Sequence, residues 1–317
     1  MMESSGFFTR LDEVQARQAF DDTISITTGN FDRLIGPYVF SEHAVCQVAR
    51  VSGRCGHPHR NGWLGRTQDG REGLIGGHCA KRHFKGNERF LAEKRRLDFE
   101  NDLVRLHEYV ADRGGLIARA QCILSTLRDI RAAVRGLEQR LPANVTGFLT
   151  ERAKTGNGQV EVEVRYVEVD EEGKQHSTWQ RQTVGTLLGL AIWQQGNLAA
   201  TRDNAKGIEA AARQAEPLCS AGARKVRGWL KVLDELPAVE RQVTELQRHF
   251  DTFASFDNLC LLMFVPLNEN KQVAVAEVAC QAGQGAASVR HGAQSLRNQR
   301  YQLIRANFNG RDFRGSV

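Results

Sequence analysis

From Leu116 the apolar residues Ala120, Ile123, Leu127, Ile130, Val134, Leu137 and Leu141 recur at alternating spacings of 4 and 3. That sustained alternation predicts a long helix with one apolar seam, as in a coiled coil or a bundle helix. Pro142 ends it, because proline cannot continue a helix interior. Upstream, Phe99, Leu103, Leu106 and Val110 carry the same spacing before Gly114-Gly115 interrupts it, so helix is expected from Asn87 to Leu141. A second helical block spans about 204–256. After Pro237 its residues Val239, Val243, Leu246, Phe250 and Phe253 recur at 4, 3, 4 and 3. Two such seams are most simply satisfied by packing on each other, antiparallel, within one chain; pairing between chains is the alternative.

Elsewhere the period shortens to two. Val160, Val162, Val164 and Tyr166 alternate with charged residues, the pattern of a half-exposed strand. Asp170-Glu-Glu-Gly173 turns the chain, and His176–Thr183 returns as its partner. Trp63–Thr67 and Glu72–Ile75 read as two short strands joined through Asp69-Gly70, a strong hairpin signal. Residues 1–45 read as short helices and turns, broken at Asn30, Gly36 and Pro37. A last helix is expected over about 286–308, with arginines on its outer face.

The fold class expected is therefore mainly α with a small α+β part. Its organisation is an N-terminal helical segment (1–43), a small module (44–86), and a long antiparallel helical hairpin or coiled coil (87–317). That hairpin carries a β-hairpin insert at about 145–185 and the basic C-terminal helix.

Composition narrows the class without naming it. Among 317 residues, 41% hydrophobic and 25% charged content is ordinary for a globular protein, and six prolines argue against long disordered linkers. The longest apolar run, Leu259–Val265, is far short of the roughly 20 residues that span a bilayer. The first residues lack a basic-then-apolar leader pattern, and seven cysteines do not suggest a disulfide framework, so a cytoplasmic protein is expected. The net charge of +6 is unevenly spread: residues 50–100 carry twelve Lys/Arg against six acids, and residues 285–317 carry six Arg against one. Clustered cations are what a phosphate-backbone binder requires.

The chemistry concentrates between Cys46 and His83, where three of seven cysteines and four of nine histidines surround the predicted hairpin. Thiolate and imidazole are the ligands zinc prefers. The expected ligands are Cys46, Cys55, Cys79 and His83, closed and tetrahedral, with His57 or His59 as substitutes for Cys46. Cys79 and His83 stand four apart and would share one helix face. A ligand pair, a hairpin, and a second pair at a helix start together resemble a treble-clef zinc finger over residues 46–84. That resemblance implies a structural zinc ion pinning a module too small to hold itself together by burial. Cys122, Cys219, Cys260 and Cys280 lie singly and are expected to be core.

No motif supports catalysis. H-E-x-x-H, the P-loop signature and the G-x-S-x-G elbow are absent. A catalytic zinc would need a nearby base, for which Asp69 and Glu72 are the local carboxylates. The protein is therefore more readily a non-enzyme. Arg54, Arg60, Trp63, Arg66, Arg71, Lys81, Arg82 and Lys85 would form a surface that grips phosphate. The leading expectation is a non-enzymatic nucleic-acid-binding protein with structural zinc and a coiled-coil scaffold. The alternatives are a protein–protein scaffold of a phage or mobile-element assembly, self-associating through its seams, and a metal-dependent nuclease using His57 or His59.

Overall fold

The computed structural model describes residues 7–51, 53–217, 221–283 and 289–315. It is a mixed α+β protein, 57% helix and 22% strand. The chain divides into two compact units, residues 1–111 with 215–230, and residues 112–214 with 231–317.

Unit 1 begins with a short helix, α1 (Leu11–Gln15), and then the strand β1 (Phe31–Val45). A miniature hairpin follows, β2 (Ala49–Arg50) with β3 (Gly53–Arg54), then the strands β4 (Pro58–Thr67) and β5 (Glu72–Gly76). Helices α2 (Gly77–His83) and α3 (Glu88–Ala111) complete its main run. The sheet is antiparallel in the order β1-β4-β5. Neighbouring residues Leu74 and Ile75 on β5 face opposite sides, as strand geometry requires. Leu74 joins Val14, Tyr38, Phe40 and Leu64 in one core cluster, while Ile75 joins Phe31, Cys46, Cys79, Phe84 and Phe90 in another. Helix α3 packs against β1, its Arg96 Nη2 donating to the Leu34 carbonyl at 2.8 Å.

The expected N-terminal helical segment is corrected here: α1 is five residues long, and most of the segment's second half is the strand β1. Gly36-Pro37 does not break this strand, because β1 is the outer strand of the sheet and a proline there removes no interior ladder bond. Its free side is partly used by Phe8, which accepts from Val39 N–H and donates to the Pro37 carbonyl, each at 3.0 Å.

Unit 2 holds α4 (Arg113–Arg140), α5 (Ala143–Thr155), β6 (Gln159–Val169) and β7 (Gln175–Thr186). A 3-10 turn at Leu190–Trp193 leads to α6 (Gln195–Gln214); α7 (Ala223–Leu233) crosses the division between the units. Then come α8 (Leu236–Phe253), α9 (Phe256–Leu261), α10 (Glu269–Gly283), α11 (Val289–Asn307) and β8 (Phe313–Gly315). Every apolar residue of the α4 seam is buried, Leu141 included. In α8, Val239, Val243, Leu246 and Phe253 are buried, and Phe250 is half-buried. Helix α4 packs on both α6 and α8 within the chain, with Arg119 clamping Glu240 at 2.7 Å.

The β insert starts later than its sequence suggests, because α5 occupies 143–155. Val160, Val162 and Val164 are buried as their alternation requires. Strand β6 pairs with β7 on one side and with the C-terminal β8 on the other, a third strand that was not anticipated. The last helix falls where expected, as α11. No helix of the described residues is long and apolar enough to cross a membrane.

Candidate metal centre

The sulfurs of Cys46, Cys55 and Cys79 all lie within 4.8 Å of one another. Cys55 Sγ and Cys79 Sγ are 3.4 Å apart, well beyond the roughly 2.05 Å of a disulfide, and all three cysteines are free. Such a group could hold a metal ion.

The eight residues between Cys46 and Cys55 are folded away by the β2–β3 hairpin, which returns the chain on itself. Cys55 N–H donates to the Val48 carbonyl at 2.8 Å, Gly56 N–H to the Cys46 carbonyl at 3.1 Å, and Cys46 N–H to the His57 carbonyl at 3.1 Å. The first two sulfurs therefore sit side by side at the hairpin's base, despite their distance in sequence. The third comes from α2, which begins directly where β5 ends. The junction is tight: a Cβ on Gly62 would stand 2.1 Å from the Ile75 carbonyl oxygen and 2.6 Å from the Tyr38 hydroxyl. Only glycine fits there, and its register partner is Gly76, the residue from which α2 starts.

Backbone N–H groups point at the sulfurs. Those of Val48 and Gly76 reach Cys46, and that of His57 reaches Cys55. Donors of this kind favour the thiolate and serve as the supporting shell of a metal site. Burial nevertheless dominates at Cys46 and pushes its thiol up to about 12. At Cys55 burial also pushes upward, but the His57 N–H, Cys79 and the Arg50 guanidinium outweigh it, and the thiol lies below its ordinary value. Arg50 Nη2 stands 3.7 Å from Cys79 Sγ and sets a fixed positive charge beside the sulfurs.

Three of the segment's four histidines were expected as ligands or substitutes, and the structure treats the four differently. Among the described residues no histidine, neither His83, expected as the fourth ligand, nor His57, His59 or His78, is within 4.8 Å of all three sulfurs. His83 is exposed on the last turn of α2, whereas Cys79 is buried on the first. His59 faces the cavity beside the sulfurs, but both its nitrogens are engaged. Nδ1 lies 3.2 Å from the His57 carbonyl, which can only accept, so Nδ1 carries the proton and Nε2 accepts from the Tyr38 hydroxyl. Burial first, then the neighbouring Cys46 and Cys79, push Tyr38 upward, which keeps that hydroxyl a donor. Burial also lowers His59, favouring the neutral ring. His57 and His78 line the same cavity of about 230 Å³ with Cys46, Cys79 and Arg50, and both are exposed. His78 was not among the expected ligands; its position beside Cys79, at the first turn of a helix, was the available signal.

Neither local carboxylate joins the sulfurs among the described residues. Asp69 is held by Arg71, and Glu72 is fully buried beneath Arg17 and Arg66, each at 2.6 Å. The expected phosphate-gripping residues divide on the same grounds. Arg66 and Arg71 are spent on these ion pairs. Arg54 donates to the Asp22 carbonyl. Trp63 packs edge-on against Phe90 and lies under Lys94. Arg60, Lys81, Arg82 and Lys85 are exposed, with no side-chain partner among the described residues. Of the isolated cysteines, Cys260 is buried as expected and Cys280 half-buried, but Cys122 is exposed; Cys219 lies outside the described residues.

Comparison of the chain with protein-family models, with curated proteins and with solved structures finds no match.

Proposed function

We propose that Cys46, Cys55 and Cys79 hold a structural zinc ion, with His57 or His78 closing the tetrahedron, and that the module so formed binds nucleic acid without catalysis. The observation that carries the metal half is the convergence of three sulfurs. Zinc–sulfur bonds of about 2.3 Å at tetrahedral angles set sulfurs about 3.8 Å apart, a spacing close to the 3.4 Å between Cys55 and Cys79. Three thiolates and one imidazole around Zn²⁺ leave a net charge of −1, which Arg50 is placed to balance. Among the described residues no carboxylate joins the sulfur group, which supports a structural ion over one that activates water.

The binding half rests on Arg60, Lys81, Arg82 and Lys85, exposed cations of the module with no side-chain partner among the described residues. Their partners would be phosphates, which need positive charge and little sequence-reading geometry. The test is a binding isotherm on single- and double-stranded oligonucleotides across a salt series. Affinity should fall steeply with salt, and replacing all four residues by Gln should flatten the slope of log K against log[salt] by about 0.7–0.9 per lost phosphate contact. Binding that ignores both salt and the fourfold replacement would reject the nucleic-acid reading in favour of a protein-interaction role.

A further inference from the structure

Unit 2 contains a cleft of about 830 Å³ between α4 and α6, remote in sequence from Cys46, Cys55 and Cys79. Its rims carry five cations: Arg128, Arg131 and Arg135 from α4, and Arg202 and Lys206 from α6. The spacings of 3 and 4 place the α4 arginines on one helix face, and the two α6 residues are four apart on theirs. One acid, Glu138, lines the same cleft. Arg128, Arg131, Arg135 and Lys206 are exposed and have no partner among the described residues, while Arg202 reaches only its neighbour Asp203. This contrasts with the rest of α4, whose Arg119 and Arg140 bond to Glu240 and Gln281.

We infer that this cleft binds a ligand bearing several phosphates in a row. Like charges on one helix face repel, and in a chain with 37 acidic residues a stripe of three unpaired arginines stays unneutralised until an anion arrives. From Arg128 to Arg135 the helix rises about 10 Å, more than one phosphate group covers. Guanidinium forks grip phosphate bidentately, and two facing rows let successive phosphates be held from both sides. An acidic amphipathic peptide fits less well, because it needs open apolar surface for its anchors. Of the apolar lining, Leu127, Val134, Ile192 and Trp193 are each under a tenth exposed and already spent on the unit's own core, and only Leu124, Leu198 and Ala199 are half-buried, a small apolar area beside five cations. The inference does not rest on the metal reading or on the cations of unit 1.

The phosphates could belong to a free phosphorylated molecule or to a nucleic-acid backbone, and one set of titrations separates these sources. Sodium tripolyphosphate is titrated calorimetrically into the full chain at low ionic strength. A site in this cleft is expected, tighter than any phosphate contact at the unit 1 cations. The combined Arg128→Gln, Arg131→Gln and Arg135→Gln variant should weaken it at least about 30-fold, since loss of a single charge-assisted contact can cost about tenfold. Because these side chains are exposed and unpaired, the variant should keep its circular dichroism. Arg202→Gln with Lys206→Gln, on the opposite wall, should weaken binding as well. The fourfold variant of Arg60, Lys81, Arg82 and Lys85 should leave this tight site in place, which keeps the test separate from the nucleic-acid test of unit 1. A short oligothymidylate that displaces tripolyphosphate would support the inference with nucleic acid as the source. Failure to displace it would support a free phosphorylated ligand. No tripolyphosphate binding, equal binding by the α4 variant, or polyglutamate binding as tightly as tripolyphosphate would overturn it.

Discussion

Replacing Glu72 by Gln should loosen the sheet that carries the metal centre, by an amount the structure lets us work out. The carboxylate is fully buried and accepts from Arg17 Nε at 2.6 Å and Nη2 at 3.1 Å, and from Arg66 Nη2 at 2.6 Å and Nε at 3.2 Å. Its backbone is tied too, donating to the Ala19 carbonyl at 2.7 Å and accepting from Asp21 N–H at 3.0 Å. Removing one member of a buried ion pair typically costs about 3–5 kcal/mol. Here the two arginine side chains are 25% and 17% exposed, so water recovers part of the loss. Glutamine also keeps one acceptor, and a cost of about 2–3 kcal/mol follows. At about 1.4 kcal/mol per decade, that is a 30- to 150-fold increase in opening. Hydrogen exchange on peptides covering 58–76 reads it directly, because the change is local to unit 1.

The pH dependence has a definite sign. Burial pushes the Glu72 carboxyl up, but Arg17 and Arg66 outweigh it and hold it below its ordinary value. A depressed acid contributes stability above its unfolded-state value, about 4.3, and loses it as pH falls through the lower folded value. The gap between wild type and Glu72→Gln should therefore be full at neutral pH and shrink on acidification below about pH 4. Exchange at neutral pH within threefold of wild type, or a gap that widens in acid, would refute the reasoning.

Gly62→Ala should split β4 from β5 at the start of α2, since the new Cβ would meet the Ile75 carbonyl oxygen at 2.1 Å; metal content should fall with it, while unit 2 unfolds as in wild type. Leu127→Ala should lower the stability of unit 2 by about 2–5 kcal/mol in thermal or urea unfolding. Its mass in light scattering should match wild type, because the α4 seam packs on α6 and α8 of the same chain. Acidification should release the bound metal with protons taken up by the cysteines, and Cys46, which burial pushes up to about 12, should be protonated in the metal-free protein at neutral pH.

The helical seams were legible because burial along α4 follows a strict period that few other structures produce; all eight predicted positions are buried. The hairpin at Asp69-Gly70 was legible because its turn demands a particular backbone, and Gly70 has φ +89°. Strand β1 was not, since Gly36-Pro37 reads as a breaker until one knows the strand lies at a sheet edge. Strand β8 was not, since three residues carry no period and their pairing with β6 spans about half the chain. At the metal centre, the residue types were visible and the grouping only partly. Cys79 and His83 share a helix by spacing, but Cys79 is drawn into the core beside Ile75 and Phe84 while His83 is left exposed at the helix end. Cys46 and Cys55, both expected as ligands, are separated by eight residues, and the β2–β3 hairpin between them brings them together. The pairing of Arg66 and Arg71 with acids also required the fold, because Asp21 is 50 residues from Arg71.

The metal content of the full chain, purified without added metal, tests the three-cysteine site most directly. Elemental analysis should find about one equivalent of zinc. Cys55→Ser and Cys79→Ser should each lose most of it, and His83→Ala should retain it in full. Wild-type content well below one equivalent, or zinc kept by Cys79→Ser and lost by His83→Ala, would contradict the site as assigned.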